Sequence, residues 1–415
     1  MKANICIFED SYVRCLAPLN YLRHTSDLIC GAFSLRNKIS VTNPDFTISL
    51  HSRKYIEQLL RENNPQIKIN SLVNKKYIFL NSRIILPENN FRKLVKYFSD
   101  NPYSCVIAYD TGTLIAFHTD LNKSHFLKDV INNYHSEFVS LEDVENSGLR
   151  KHLASEIKLG YTEINNPSDL VYNNEKELHS DLDILIKGRK KILIRSKNKI
   201  SRKVEFDTTG GKIYIGKNTV IEPFVFIKGP VYIGDNCLIR SGTCIYGPVS
   251  VGNTSKISGE ISSSVIHPFV NKQHYGFLGH SYICEWVNLG AGTTTSNLKN
   301  NYSPITLKID GTSIQTGSVF LGSIIGDHTK TGIGTMLNTG TVIGISSNLY
   351  GAGYHSKIIK SFTWNDAGSN KSIDYVPDKA IATARITMSR RNIQLSPAYE
   401  EVLMKLYNDR HNLPV

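Results

Sequence analysis

Residues 211–257 read GKIYIGKNTVIEPFVFIKGPVYIGDNCLIRSGTCIYGPVSVGNTSKI. Aliphatic side chains stand at Ile215, Ile221, Ile227, Ile233, Ile239, Ile245, Val251 and Ile257, eight in succession with a constant step of six. An amphipathic helix repeats every ~3.6 residues and a half-buried strand every ~2, so neither makes that spacing. A six-residue step suits one flat side of a triangular coil, in which three steps complete a turn and each aliphatic residue stacks on its counterpart one turn earlier. Gly216, Gly234 and Gly252 recur at intervals of one full turn, where a small residue lets the chain corner. The spacing predicts a left-handed parallel β-helix of hexapeptide repeats.

The phase is lost across 258–275 and resumes on a shifted register shared by Phe277, Ile283, Leu289, Thr295, Leu307, Val319, Ile325, Thr331, Leu337, Ile343 and Leu349. Residues 298–318 are expected to leave the coil as an excursion, and loops thrown out of a solenoid are where such folds place chemistry. Beyond Trp364 the pattern turns helical. Asp378 is expected to cap one helix reaching Arg391, and Ser396-Pro397 to start another with Val402, Leu403 and Leu406 on one side. These helices are expected to cover the open end of the coil; the alternative is a contribution to a site.

Upstream, short β-rich runs (4–8, 77–80, 105–109, 114–117) alternate with helical patterns (53–62, 90–98, 124–134), which argues for an α/β layer fold. A further helix is expected from Pro167 towards Leu185. The expected division is an α/β domain at 1–186, a basic linker at 187–206, the β-helix at 207–362 and a helical cap at 363–415. A chain of 415 residues exceeds one compact core, and 40% hydrophobic with 20% charged residues is globular. No apolar run approaches the ~20 residues that span a bilayer, and the acidic pair Glu9-Asp10 interrupts the early apolar run, so a cytoplasmic protein without a membrane span is expected. The seven cysteines form no CxxC pair and read as small buried hydrophobes, with a catalytic thiol as the lesser alternative. The net charge of +12 is concentrated in 187–203, which holds nine basic and no acidic residues. It reads as a solvated linker or strand edge, or else as a patch for phosphate or acidic lipid; nucleic-acid binding is not expected.

The block NKQHYGFLGH at 271–280, followed by EWVNLGAGT at 285–293 and SNLKNNY at 296–302, resembles the acetyltransferase half of the bifunctional UDP-N-acetylglucosamine pyrophosphorylase/glucosamine-1-phosphate N-acetyltransferases, and especially a divergent bacterial group of GlmU-family proteins. KISGE at 256–260, MLNTGT at 336–341 and the early Pro18-Leu19, Arg23, Asp27-Leu28, Gly31 and Leu35-Arg36 look like that group too. The resemblance implies a nucleotidyltransferase-like (Rossmann-like) amino-terminal domain, a trimeric acyltransferase-like β-helix, and acetyl-CoA and a sugar phosphate as substrates. It also implies His274 as the base that removes the amine proton, a task suited to an imidazole with a solution pKa of ~6.5. Asn288 and Asn297 are implied to hold sugar or intermediate, and Arg240 and Lys272 the sugar phosphate, with Lys299 the nearest match to a further lysine. The bland readings are a structural histidine, with His280 as second choice for the base, and solvent-exposed coil corners for Lys272 and Arg240. Phe277 replaces the usual tyrosine of the triplet.

Sugar-1-phosphate nucleotidylyltransferases open with a strand and a glycine-rich loop, because backbone N–H groups must approach the triphosphate. Here the first strand leads into Glu9-Asp10-Ser11-Tyr12-Val13-Arg14, with no glycine before Gly31, and the strand at 77–81 ends in Asn81 where a magnesium-binding aspartate is usual. Asp10, as a metal ligand, and Arg14, Arg23 and Asp27, as nucleotide ligands, offer a different phosphate and Mg2+ site for UTP or another NTP; surface ion pairs are the equal alternative. Asp110 and Asp181 are weaker metal candidates. Three functions stay open: amino-sugar phosphate activation with CoA-dependent N-acetyl transfer, nucleotidylyl transfer alone with the β-helix as trimerisation scaffold, and a non-catalytic scaffold.

Overall fold

The computed structural model describes residues 3–73, 75–132, 137–369 and 371–415. The chain forms two compact units, one of Met1–Leu16, Leu22–Leu28 and Phe33–Asn165, the other of Ala17–Tyr21, Ile29–Ala32 and Asn166–Val415.

The first unit is built on strands β1 (Asn4–Phe8), β2 (Thr47–His51), β3 (Lys68–Ile69), β4 (Lys76–Asn81), β5 (Ile84–Ile85), β6 (Ser104–Ile107), β7 (Leu114–Asp120), β8 (Arg150–Leu153) and β9 (Thr162–Glu163). Seven form one sheet in the order β3-β2-β1-β4-β7-β6-β8, while β5 and β9 make a separate antiparallel ribbon. The β1-to-β4 half is parallel, as helical crossovers require, and β7 runs antiparallel to both β4 and β6. Its core packs Phe8, Phe79 and Phe117, the last two stacked at 4.4 Å between ring centres. The fold is an α/β layer, as the alternating pattern predicts, and Rossmann-like, as the resemblance implies. The helix expected at 124–134 is present as His125–Asn132, and residue 134 lies outside the described residues.

The second unit contains the β-helix. Successive coils pair in parallel register at 18-residue steps, as in Ile215↔Ile233↔Val251 and Ile221↔Ile239↔Ile257. The predicted aliphatic positions from Ile215 to Ile257 are all buried and share one core. Each fully buried Ile or Val contributes ~1.5–3 kcal/mol against exposure, and stacking repeats that gain coil after coil. Gly234 is required by this stacking, since a Cβ there would strike the Asn253 side chain and backbone of the next coil.

The structure corrects four expectations. The basic segment is no linker: Ile192–Ile194, Lys199–Ile200 and Glu205–Asp207 form the first coil, pairing with the coil above. The helices Pro167–Tyr172 and Asn174–Leu185 belong to the second unit, so the boundary lies near 165 instead of 186. Asp378 lies inside the first turn of the helix Pro377–Ser389, whose N-cap is Val376. The terminal helices flank the coil as well as ending it, since the Tyr399 hydroxyl lies 2.8 Å from Nε2 of His328. Ser396 caps the helix Pro397–Asn408 as predicted.

The lost phase has a simple cause. Ile257 stacks on Lys272 only 15 residues later, and Ile261 on Leu278, so one coil is shortened and the register shifts. The later excursion is also present: after the strand Thr294–Thr295 the chain folds out as the antiparallel hairpin Thr306–Ile309 and Thr312–Gln315, and it returns so that Ile324 pairs with Tyr282. The five buried cysteines behave as small hydrophobes; burial pushes the thiols of Cys105 and Cys237 up to about 11 and about 12. Among the described residues no helix is long and apolar enough to cross a membrane.

Candidate functional site

The shortened coil puts a lysine where the core expects an aliphatic residue. Lys272 stacks inward on Ile257 and is 2% exposed. Its ammonium donates to the carbonyl oxygens of Ser258 at 2.8 Å, His274 at 3.1 Å and Gly276 at 2.9 Å, which matches its three N–H donors to three acceptors. Burial lowers its pKa to about 8, while the three carbonyls favour the charged form. Lys272 therefore holds the turn that carries His274 and has no donor left for a phosphate. Gly276 closes that turn at φ +127°, where a Cβ would collide with the carbonyl of Thr293.

On the outward side, four coils form a ladder in register: Lys256 pairs with Asn271, Asn271 with Asn288, and Asn288 with Lys330. Parallel strands lie ~4.8 Å apart, so the ladder is about 14 Å long. The Asn271 amide donates to Oδ1 of Asn288. Lys330 donates to the carbonyl of His328 at 2.8 Å, and burial lowers its pKa to about 8.

The coil corners beside this ladder change character. Asn218, Asn236 and Thr254 give way to Phe269, Trp286 and His328, all in the left-handed region at φ +65°, +62° and +60°. Bulky residues are rare there and strain of this kind gathers at functional sites. Stacking compensates it: Phe269 and Trp286 are parallel at 4.2 Å, and Trp286 and His328 nearly so at 6.2 Å.

The ladder and the corners Phe269 and Trp286 line a cleft of about 660 Å³ with Gln273 and His274, and the helix Pro377–Ser389 and the turn after it supply Ile386, Thr387, Arg390 and Arg391. His274 is exposed and reaches the cleft. The cleft lining holds the basic side chains Lys256, Lys330, Arg390 and Arg391 and, among the described residues, no carboxylate.

Of the predicted residues, the cleft brings together His274 and Asn288. Asn297 lies elsewhere, donating to Nδ1 of His280 at 2.8 Å, with the His280 ring stacked on Phe320. Arg240 pairs with Glu222 at 3.1 Å, and Lys299 is turned to Ser303 and the Pro304 carbonyl. Sequence reasoning missed Lys256, Lys330, Arg390, Arg391 and the aromatic corners. The in-register ladder was readable from the six-residue step once the 15-residue coil was known; the arginines carry no sequence signal.

In the first unit the acidic pair after β1 is fully committed. Glu9 is buried and takes Nε of Arg53 at 3.0 Å, Nη2 at 3.1 Å and both the N–H and hydroxyl of Thr25 at 2.8 Å. Burial alone would raise its pKa, but Arg53, His24 and Thr25 hold it at about 2. Asp10 receives Nε and Nη2 of Arg83 at 2.9 and 2.7 Å and the Asn81 amide at 2.7 Å. Both its oxygens are thus engaged by a buried guanidinium, which does not fit a Mg2+ ligand. Asp27 pairs with Arg36 at 2.7 Å, Arg14 lies over the Phe138 ring, and the Arg23 carbonyl accepts from Arg53. Among the described residues no three His, Cys, Asp or Glu side chains gather as a metal site; Asp181 instead accepts the Ala32 N–H.

Residues 5–190 match the sugar nucleotidyl transferase family and residues 212–247 the bacterial transferase hexapeptide (six repeats). The chain is 36% identical over 93 residues to the bifunctional sugar-1-phosphate nucleotidylyltransferase/acetyltransferase of Sulfurisphaera tokodaii, covering 22% of this chain and 23% of that protein. It is 38% identical over 95 residues to the bifunctional protein GlmU of Methanococcus vannielii, covering 23% and 22%. The matched stretch thus spans less than a quarter of the length of these two relatives. The uncharacterized acetyltransferase YaiX of Escherichia coli K12 is 35% identical over 167 residues, 40% of this chain and 73% of that protein.

Proposed function

We infer, for a chain that belongs to the GlmU-like family joining a sugar nucleotidyl transferase domain to hexapeptide repeats, that the β-helix cleft catalyses CoA-dependent N-acetyl transfer to an amino-sugar phosphate. The observation that carries this reading is the cleft itself, where His274 and Asn288 share a lining with cations and, among the described residues, no carboxylate. The imidazole of His274 accepts a proton from the sugar ammonium, the freed amine attacks the thioester carbonyl of acetyl-CoA, and collapse of the adduct breaks the C–S bond and expels the CoA thiolate, which takes up the proton that the amide nitrogen sheds. Asn288 holds a sugar hydroxyl, with Asn271 fixing its amide. Lys272 keeps the His274 turn in place from inside the coil. Hexapeptide helices have flat sides, and this one exposes Phe224, Tyr246 and Tyr354, which fits a homotrimer.

The match of residues 5–190 to sugar nucleotidyl transferases favours a second activity, sugar-1-phosphate nucleotidylyl transfer in the first unit. No step is assigned to Mg2+ there, because Asp10 and Asn81 are occupied with Arg83 and with each other. The test is incubation of the full chain with acetyl-CoA and glucosamine-1-phosphate, and separately with UTP, Mg2+ and N-acetylglucosamine-1-phosphate. Thiol release that falls at least about 100-fold in His274→Ala, within the usual range for a general base, supports acetyl transfer. Thiol release that persists in the variant sinks the role of His274, and pyrophosphate release alone supports the second activity.

A further inference from the structure

The resemblance places the substrate phosphate on Arg240 and Lys272, and the structure engages both elsewhere: Arg240 with Glu222, Lys272 with three carbonyls inside the coil. A different set of cations faces the cleft. Arg390 and Arg391 follow the helix Pro377–Ser389 and share the cleft lining with Lys256, at the lower end of the ladder, near enough for their charges to act on it. Among the described residues none of the three has an acidic partner within salt-bridge distance, and Nε of Arg391 is buried without an acceptor. A buried donor left unsatisfied is costly, and like charges gathered without a counter-charge add to that cost. Burial and the neighbouring Arg391, Arg390 and Arg240 all push the Lys256 pKa down, and burial and Arg390 do the same to Arg391. The strain of three such cations is relieved by one multivalent anion, and two adjacent guanidinium forks match the oxygen geometry of a phosphate ester.

We propose that Lys256, Arg390 and Arg391 form a phosphate-ester subsite, supplied half by the coil and half by the carboxy-terminal helix turn. The subsite deepens the acetyl-transfer reading and rests on it for the ligand's identity, though not for the binding of phosphate itself. A phosphate held at the Lys256 end leaves Asn271, Asn288 and His274 alongside for the rest of the ligand. The shared chemistry belongs to two sources, the phosphate of an amino-sugar phosphate and the phosphates of the CoA donor.

Calorimetric titration of the full chain with glucosamine-1-phosphate, glucosamine, CoA and inorganic pyrophosphate tests this. Arg390→Gln with Arg391→Gln is expected to weaken pyrophosphate and one of the two phosphorylated ligands by about 10- to 100-fold, the loss typical of a hydrogen bond to a charged group, and glucosamine by less than about twofold. The paired Arg→Lys replacements restore most of the affinity. Loss for glucosamine-1-phosphate assigns the subsite to the acceptor, and loss for CoA assigns it to the donor. Lys256→Met, on the rigid coil, repeats the measurement should the helix variant not fold. Unchanged affinities in folded variants, or a native protein that binds none of the phosphates, overturn the proposal. Arginine-dependent pyrophosphate binding without thiol release from any amino sugar leaves the subsite standing and removes the acetyl-transfer reading.

Discussion

The side chains that decide this site are charged groups placed where the fold normally puts apolar or neutral ones. Glu9 shows what that placement costs and gains. Its carboxylate is wholly buried, and Arg53 with Thr25 satisfies both oxygens. Its pKa lies at about 2 in the folded chain against the ordinary value of 4.5, so its stabilisation is complete above pH 4.5 and is lost as pH falls through 2. Glu9→Gln is expected to lower stability by about 3–5 kcal/mol near neutrality, because the Arg53 guanidinium then stays buried without its carboxylate counter-charge, and to flatten the acid limb of a stability-against-pH curve measured by urea unfolding. An unchanged acid limb would falsify the assignment. The sequence reading treated Glu9-Asp10 as a break in an apolar run and Asp10 as a metal ligand. Arg53 and Arg83 lie 44 and 73 residues away, a separation that no local pattern spans.

Among the elements, the 15-residue coil matters most. By removing three residues from the regular step it turns Lys272 inward and sets Asn271, Asn288, Lys256 and Lys330 in one outward file. Lys272→Met keeps the buried stem and removes the ammonium. The carbonyls of Ser258 and His274 then lose the ammonium as donor, while that of Gly276 keeps the Glu260 N–H at 3.3 Å, and a loss of about 1–3 kcal/mol is expected from the denaturation midpoint. Because the same change loosens the His274 turn, kcat for acetyl transfer should fall more than the acceptor KM rises; an equal change in both would argue that Lys272 only supports the fold. The interruption itself was legible as lost phase after Ile257. That it shortens a coil was not, because phase records that the step changes and leaves open whether residues are inserted or deleted.

At the scale of the whole molecule, the exposed rings on the coil faces lead to the expectation of three chains per particle in solution by light scattering, and a monomer at micromolar concentration would remove the trimer. The division of the chain follows the same logic of contact over sequence: residues 17–21 and 29–32 join the β-helix unit although they lie within the amino-terminal stretch, and the helices from Pro167 join it too. What the sequence determined by itself was the β-helix, its aliphatic core from Ile215 to Ile257, the place of the interruption and the alternation of the first unit, because each is written in a short, regular spacing that local geometry must obey. Tertiary structure alone decided which charges face the cleft. Arg390 and Arg391 reach Lys256 only when the helix folds back along the coil, and Lys272 and Asp10 lose their expected ligands to carbonyls and to Arg83 because burial demands a partner for every charge, and the partners come from distant parts of the chain.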